Sequence, residues 1–126
     1  MTTYLIDTHI LLWMRTGSDR LPLKIAALIE EESDRVHYSV LSPWELAIKE
    51  AKGKLRIPEA FFTTLPEFDL GCMNVKNEHV NALRSLPLLH HDPFDRMLVA
   101  QAKAERMTLI TSDKRLAAYP IKTLLI

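Results

Sequence analysis

Apolar and polar residues alternate along the chain in blocks that predict strands and helices following one another from end to end. The first block, residues 4–6, reads Tyr-Leu-Ile and is typical of a strand buried on both faces of a parallel sheet. Further short apolar runs predict strands at residues 36–40, 70–75, 107–111 and 121–126. Between these runs, apolar residues recur at helical spacing. The pattern therefore predicts a three-layer α/β/α fold with a central parallel sheet of about five strands.

Length and composition add few constraints to this picture. The chain of 126 residues is expected to form a single domain over residues 1–126. Sixteen basic residues balance sixteen acidic ones, so any contact with nucleic acid must come from local clusters rather than from an overall positive field. The single cysteine, Cys72, excludes an intramolecular disulfide and a cysteine-rich zinc site. No secretory segment precedes Asp7 and no apolar run approaches the ~18 residues of a membrane span, so we expect a soluble, cytoplasmic protein that binds no membrane.

Acidic residues stand at the points where predicted strands pass into helices. Asp7 ends the first strand directly before a helix that begins at Thr8. Aspartate is a preferred helix N-cap, so capping and catalysis explain Asp7 equally well when it is considered alone. Glu45 lies in Ser-Pro-Trp-Glu, where Ser42 fits the N-cap and Glu45 the third helical position of a capping box.

Two further acids begin the helix that precedes the strand at residues 107–111. In Asp-Pro-Phe-Asp, Asp92 fits the N-cap position and Asp95 the third helical position. Asp113 follows the strand at 107–111 and is also an N-cap candidate. Two acids in one helical start exceed what capping requires, which indicates a second role for at least one of them.

The strand-to-helix junctions of a parallel sheet all lie at one edge, so these acids are predicted to converge there. The predicted set is Asp7, Glu45, Asp95 and Asp113. Two like charges 4 Å apart cost about 4 kcal/mol at an effective dielectric constant of ~20, which favours a cation among them or partial protonation. Oxygen ligands without cysteine select Mg²⁺ or Mn²⁺, ions that usually serve phosphate chemistry.

Basic and histidine residues near these acids allow two interpretations. Lys49 follows Glu45 by four residues, and an ion pair on one helix face is the ordinary explanation. The other is contact with a phosphate, for which the candidates are Lys49, Arg96 and Lys114. His90 and His91 could bind a metal, but we interpret them as loop packing residues because further ligands at zinc-site spacing are missing.

Four segments, in this order, resemble those of PIN-domain nucleases and most closely the VapC-type toxins of bacterial toxin–antitoxin pairs. The segments are Leu-Ile-Asp-Thr at the N-terminus, Ser-Pro-Trp-Glu, Asp-Pro-Phe-Asp-Arg-Met-Leu-Val-Ala-Gln-Ala and Leu-Ile-Thr-Ser-Asp. The resemblance covers essentially the whole chain. It implies a five-stranded parallel sheet, endoribonuclease activity dependent on Mg²⁺ or Mn²⁺, an RNA substrate, a homodimer and a cognate antitoxin.

The resemblance also implies roles for individual residues. The acidic quartet of the family falls on Asp7, Glu45, Asp95 and Asp113. The three aspartates would hold the metal, and Glu45 would orient or deprotonate the attacking water or complete the ligand set. Asp92 is the second choice for the third acidic position. Thr111 resembles a small hydroxyl residue that the family carries near its site.

Two other functions remain as alternatives. A phosphatase or phospho-acceptor domain also places an aspartate after its first strand, but the haloacid-dehalogenase pattern has a second aspartate two positions later, where His9 stands. A receiver-type domain would have paired acids before the end of its first strand, and these are absent. A non-catalytic RNA- or partner-binding module would use the acids only as caps. That module predicts no stabilisation by Mg²⁺ or Mn²⁺ and neutral effects of acid-to-amide substitutions.

Overall fold

A parallel sheet of five strands forms the centre of the molecule in the computed structural model, which describes all 126 residues. The strands are β1 (Tyr4–Ile6), β2 (Val36–Ser39), β3 (Gly71–Met73), β4 (Thr108–Thr111) and β5 (Thr123–Leu125). They lie in the order β3-β2-β1-β4-β5, and every neighbouring pair is parallel. The predicted parallel sheet is therefore confirmed.

Seven helices cover the two faces of this sheet. They are α1 (Thr8–Thr16), α2 (Leu23–Glu31), α3 (Leu41–Ala51), α4 (Glu59–Thr64), α5 (Asn77–Arg84), α6 (Pro93–Glu105) and α7 (Lys114–Ala117). Successive strand residues point to opposite faces. Ile6 and Ile110 join a core of 14 buried residues with α1 to α4, whereas Leu5 and Leu109 join a core of 10 on the other face with α5 to α7. The three-layer α/β/α architecture is thus confirmed.

The order of the strands determines where a ligand can bind. From β1 at the centre, the chain moves outward through β2 to β3 and then returns to place β4 on the other side of β1. Such a reversal opens a crevice at the carboxyl ends of the two central strands. Asp7 follows β1 directly, and Asp113 stands two residues after the end of β4 at Thr111.

The capping box predicted at Ser42 and Glu45 is not present. Helix α3 begins at Leu41, one residue before the predicted cap, and Val40 precedes it in helical conformation without a side-chain cap. The Ser39 hydroxyl instead accepts a hydrogen bond from the Leu41 amide, at 3.1 Å. Because β2 passes so directly into α3, Ser42 lies inside the first turn, and Glu45 faces the protein interior rather than the helix start.

The helices are short. The longest, α6, has 13 residues. None of the helices combines the length and the apolar composition that crossing a bilayer would require.

Candidate active site

A small cleft at the carboxyl ends of β1 and β4 contains all four predicted acids. It has a volume of about 130 Å³, and no hydrophobic residue lines it. Its lining consists of Asp7, Thr8, His9, Glu45, Lys49, Asp92, Asp95, Ser112, Asp113 and Arg115. The structure thus brings together the four acids that the sequence placed at four separate helix starts.

Asp7 serves both as a helix cap and as a wall of the cleft. Its Oδ1 atom accepts a hydrogen bond from the Ile10 amide at 3.0 Å, which caps α1. Its Oδ2 atom accepts one from the Thr111 hydroxyl at the end of β4. Only 4% of Asp7 is exposed, and burial raises the pKa of its carboxyl above the usual value even though these hydrogen bonds act in the opposite direction. The two roles that the sequence left open for Asp7 therefore coexist.

Glu45 is held by side chains from two helices. Its Oε1 atom accepts a hydrogen bond from the Thr8 hydroxyl at 2.8 Å, and its Oε2 atom lies 2.7 Å from Lys49 Nζ. The Thr8 hydroxyl also lies 3.0 Å from that of Ser42. Glu45 is only 3% exposed, so its carboxylate is fixed in direction by this buried polar network rather than by solvent.

Asp92 and Asp95 take different roles at the start of α6. Asp92 Oδ1 accepts hydrogen bonds from the amides of Phe94 (2.8 Å) and Asp95 (3.1 Å), so Asp92 is the N-cap. Asp95 caps nothing, and its Oδ2 atom lies 2.9 Å from Nε2 of His90. This division of roles supports Asp95 rather than Asp92 as the third acid of the quartet.

The environment of Asp95 disfavours the ionised form of its carboxyl group. Burial raises the pKa of Asp95 to about 6, the hydrogen bond with His90 opposes that increase, and the charges of Asp92 and Glu45 add to it. Near neutral pH the ionised Asp95 carboxylate therefore lowers the free energy of unfolding. A cation bound beside it would compensate for this loss.

Replacement of Asp95 by asparagine should therefore stabilise the protein more at neutral pH than at acid pH, when EDTA is present. The usual pKa of 3.8 applies to the unfolded chain and about 6 to the folded one. Between about pH 4 and pH 7 the folded state binds the proton more tightly, so the parent loses unfolding free energy as the pH rises, whereas asparagine does not titrate. We expect the difference between variant and parent to grow by on the order of 2 kcal/mol in urea titrations. A difference that stayed constant with pH would contradict this assignment.

Asp113 and Thr111 connect β4 to the same cleft. Asp113 Oδ1 accepts a hydrogen bond from the Arg115 amide at 2.9 Å, which caps α7, and its Oδ2 atom lies 2.8 Å from Arg115 Nη2. The Arg115 guanidinium holds the pKa of Asp113 below its usual value. The Thr111 hydroxyl accepts from the Asp113 amide at 3.0 Å and donates to Asp7. One hydroxyl therefore fixes the relative positions of two of the acids.

The basic residues at the cleft are only partly those that the sequence suggested. Lys49 lines the cleft, but Arg96 and Lys114 do not. The Arg96 guanidinium instead donates to the carbonyl of Pro87 at 2.9 Å and to the hydroxyl of Tyr119 at 3.2 Å. Arg115, which sequence reasoning missed, lines the cleft beside Asp113. Its position one residue beyond Lys114 in a four-residue helix gave no signal in the sequence.

The pairing of charges around the cleft leaves two acids, Asp7 and Asp92, without a basic partner. Glu45 pairs with Lys49, Asp95 with His90 and Asp113 with Arg115. Asp7, the most deeply placed aspartate, forms no such pair. Five carboxylates and two permanent cations line the cleft, so it retains an excess of negative charge. A buried, unpaired carboxylate among other oxygen donors fits a hard divalent cation.

Comparison with known proteins identifies a matching family. A family model described as "PIN domain" matches residues 4–122. Ribonuclease VapC22 of Mycobacterium tuberculosis (strain ATCC 25618 / H37Rv) is 25% identical to this chain over an alignment 130 residues long. The alignment covers 94% of this chain and 93% of that protein.

Solved structures match nearly the whole chain. The DNA-bound VapBC of Salmonella typhimurium has a TM-score of 0.74 at 17% identity, and VapBC2 of Rickettsia felis bound to a promoter DNA fragment has 0.75 at 16% identity; each match covers 98% of both chains. FitAB bound to the IR36 DNA fragment has a TM-score of 0.71 at 14% identity and covers 98% of this chain and 94% of that one. At sequence identities this low, the similarity to these structures shows a shared fold and no more.

Proposed function

Since the chain belongs to the PIN-domain family, we propose that it is a metal-dependent endoribonuclease that hydrolyses RNA phosphodiester bonds as the toxin of a toxin–antitoxin pair. The observation that carries this proposal is the convergence of Asp7, Glu45, Asp95 and Asp113 on one cleft without apolar lining. The chain is similar over 94% of its length to a protein named Ribonuclease VapC22, and this similarity supports RNA as the substrate. We further propose that residues 1–126 form one nuclease domain that acts in the cytoplasm, where such a substrate occurs.

The aspartates of the cleft would hold the cation, which we propose to be Mg²⁺ or Mn²⁺. The assigned ligands are Asp7, Asp95 and Asp113. When bound, such an ion supplies Lewis-acid stabilisation of the phosphoryl oxygens and lowers the pKa of water. Asp7 and Asp113 are preorganised for this role by the Thr111 hydroxyl, which hydrogen-bonds the Asp7 side chain and the Asp113 amide.

Glu45 and the cations at the rim act on the water and on the substrate. The Glu45 carboxylate, fixed by Thr8 and Lys49, orients a water molecule and accepts its proton as the water oxygen bonds to phosphorus. The bond from phosphorus to the leaving ribose oxygen then breaks, and that oxygen takes a proton from solvent. Lys49 and Arg115 line the cleft, where their charges can bind the phosphates of the RNA chain.

An antitoxin and a second copy of the chain are the proposed protein partners. The solved structures that match this fold are VapBC and FitAB complexes, which supports a cognate antitoxin for this chain as well.

An apolar groove of about 430 Å³ lies beside the acidic cleft and supports a homodimer. Its lining residues are Leu41, Trp44, Val75, Leu83, Pro93, Phe94 and Met97. Trp44 is 59% exposed there, and a second copy of the chain would cover this apolar surface. Sedimentation equilibrium should therefore report twice the 14.5 kDa mass of one chain.

Cleavage of RNA by the purified full-length chain tests the proposed function. We expect cuts within a mixture of transfer, messenger and ribosomal RNA when Mg²⁺ or Mn²⁺ is added, and none in EDTA. Sequencing of the RNA ends identifies the target. RNA binding without cleavage under all metal conditions would contradict the nuclease and would favour the non-catalytic binding module.

A further inference from the structure

His90 hydrogen-bonds Asp95, an acid of the cleft, although it is not among the residues that line the cleft and belongs to none of the motifs that predicted the site. Its Nε2 atom is 2.9 Å from Asp95 Oδ2, and its side chain is only 11% exposed. One ring nitrogen of His90 and one carboxylate oxygen each of Asp95 and Asp113 lie within 4.8 Å of one another. Three potential metal ligands from different segments of the chain therefore point at one small volume.

The position of His90 is fixed by contacts outside the cleft. Its backbone amide donates a hydrogen bond to the Tyr119 hydroxyl at 3.0 Å, and Tyr119 is itself 3% exposed. The Arg96 guanidinium donates to the same hydroxyl and to the Pro87 carbonyl. The loop between α5 and α6 is thus anchored at Pro87 and at His90 itself, as expected for a ligand held in place before an ion arrives. The neighbouring His91 is exposed and, unlike His90, is not grouped with Asp95 and Asp113.

We propose that His90 is a metal ligand, so that the site holds its divalent cation through a nitrogen atom as well as through carboxylate oxygens. This inference rests on the proposed function for the presence of a metal at the cleft. Adjacent ligands in octahedral coordination at 2.0–2.1 Å lie about 3 Å apart. The separation of 2.9 Å between His90 and Asp95 matches that spacing.

The consequence of a nitrogen ligand is a change in metal preference. Carboxylate and water oxygens suit Mg²⁺, which gives up its hydration water reluctantly. Imidazole nitrogen instead favours the first-row transition metals, and affinity within that series rises from Mn²⁺ onward. A site with His90 therefore prefers Mn²⁺ to Mg²⁺ more strongly than an all-oxygen site would. Replacement of His90 should reduce that preference while leaving the carboxylates in place.

Pulsed electron paramagnetic resonance of bound Mn²⁺ tests the proposal, because ¹⁴N modulation of its signal reports a directly bound imidazole. We expect the modulation in the full-length parent and in the matched control His91→Ala, and its loss in His90→Gln. By calorimetry, His90→Gln should bind Mn²⁺ about tenfold more weakly, with a smaller change for Mg²⁺. His9→Ala is the second control, because His9 is the histidine that lines the cleft.

Bound Mn²⁺ in the parent without ¹⁴N modulation would overturn the proposal without any variant having to fold. Modulation that survives in His90→Gln but disappears in His9→Ala would also overturn it by assigning the nitrogen to His9. A parent that shows the His90-dependent modulation but cuts no RNA would refute the proposed nuclease and leave the metal ligand standing. A parent that cuts RNA without the modulation would refute His90 as a ligand and leave the proposed nuclease standing.

Discussion

Substitution of Asp7 by asparagine is expected to lower the rate of RNA cleavage by at least about a hundredfold while the protein stays folded. Metal-assisted charge stabilisation is worth several kcal/mol, and each 1.36 kcal/mol corresponds to a factor of ten. Asparagine caps a helix as well as aspartate does, so the hydrogen bond from the Ile10 amide can be kept. The measurement is the single-turnover rate at saturating Mg²⁺ or Mn²⁺, with circular dichroism of the same preparations.

The stability of this variant distinguishes the catalytic role of Asp7 from its capping role. Burial raises the pKa of Asp7, so its ionised form is unfavourable in the folded state at neutral pH. In EDTA, Asp7→Asn should therefore unfold at the same urea concentration as the parent or at a higher one. Asp69→Asn, which changes an exposed aspartate outside the cleft, is the matched control. Full cleavage activity in Asp7→Asn would refute the assignment of Asp7 as a ligand.

Substitution of Leu109 by alanine should give the opposite result, a large loss of stability with little change in the chemistry. Leu109 is fully buried on β4, in the core cluster beneath α6 and α7. Truncation of such a leucine removes apolar burial and leaves a cavity, which lowers the unfolding free energy by about 2–5 kcal/mol. Urea denaturation in EDTA measures this loss. The cleavage rate per folded molecule should remain close to that of the parent, because the side chain points into the core.

Leu88→Ala provides the control for that experiment. Leu88 is 68% exposed, and exposed substitutions usually change the unfolding free energy by less than about 0.5 kcal/mol. A loss below about 1 kcal/mol in Leu109→Ala would mean that the two-core packing described for the central strands is wrong.

Predictions from sequence succeeded where a short segment decides its own structure. Asp92 is followed directly by proline, and both residues favour the first turn of a helix, so the start of α6 was predictable. Asp7 directly follows the short apolar run of β1 and caps α1, so this junction was predictable as well. The convergence of the acids was also predictable, since a parallel sheet brings all of its strand-to-helix junctions to one edge.

The predictions failed where a side chain finds its partner far along the chain. The Ser42 hydroxyl lies against Thr8, 34 residues away, rather than at the start of its own helix. The guanidinium of Arg96 reaches the hydroxyl of Tyr119, 23 residues later, and so faces away from the cleft. His90 lies beside Asp95, and the same Tyr119 hydroxyl, 29 residues away, holds its backbone. No local propensity encodes such pairings, because they depend on how distant segments pack: α1 against α3, and the loop between α5 and α6 against the end of α7.

Aspartates that serve both as helix caps and as acids of the cleft affect how mutation can abolish the activity of the protein. Asp7, Asp92 and Asp113 each hold the first turn of a helix, and asparagine can replace them there. A single base change converts either aspartate codon into an asparagine codon. Under the proposed function, selection against RNA cleavage would therefore enrich Asp7 and Asp113 amide variants that still fold. Under the proposed function, such chains would keep the surface for the proposed antitoxin, and by binding that antitoxin they would leave less of it for any active copy in the same cell.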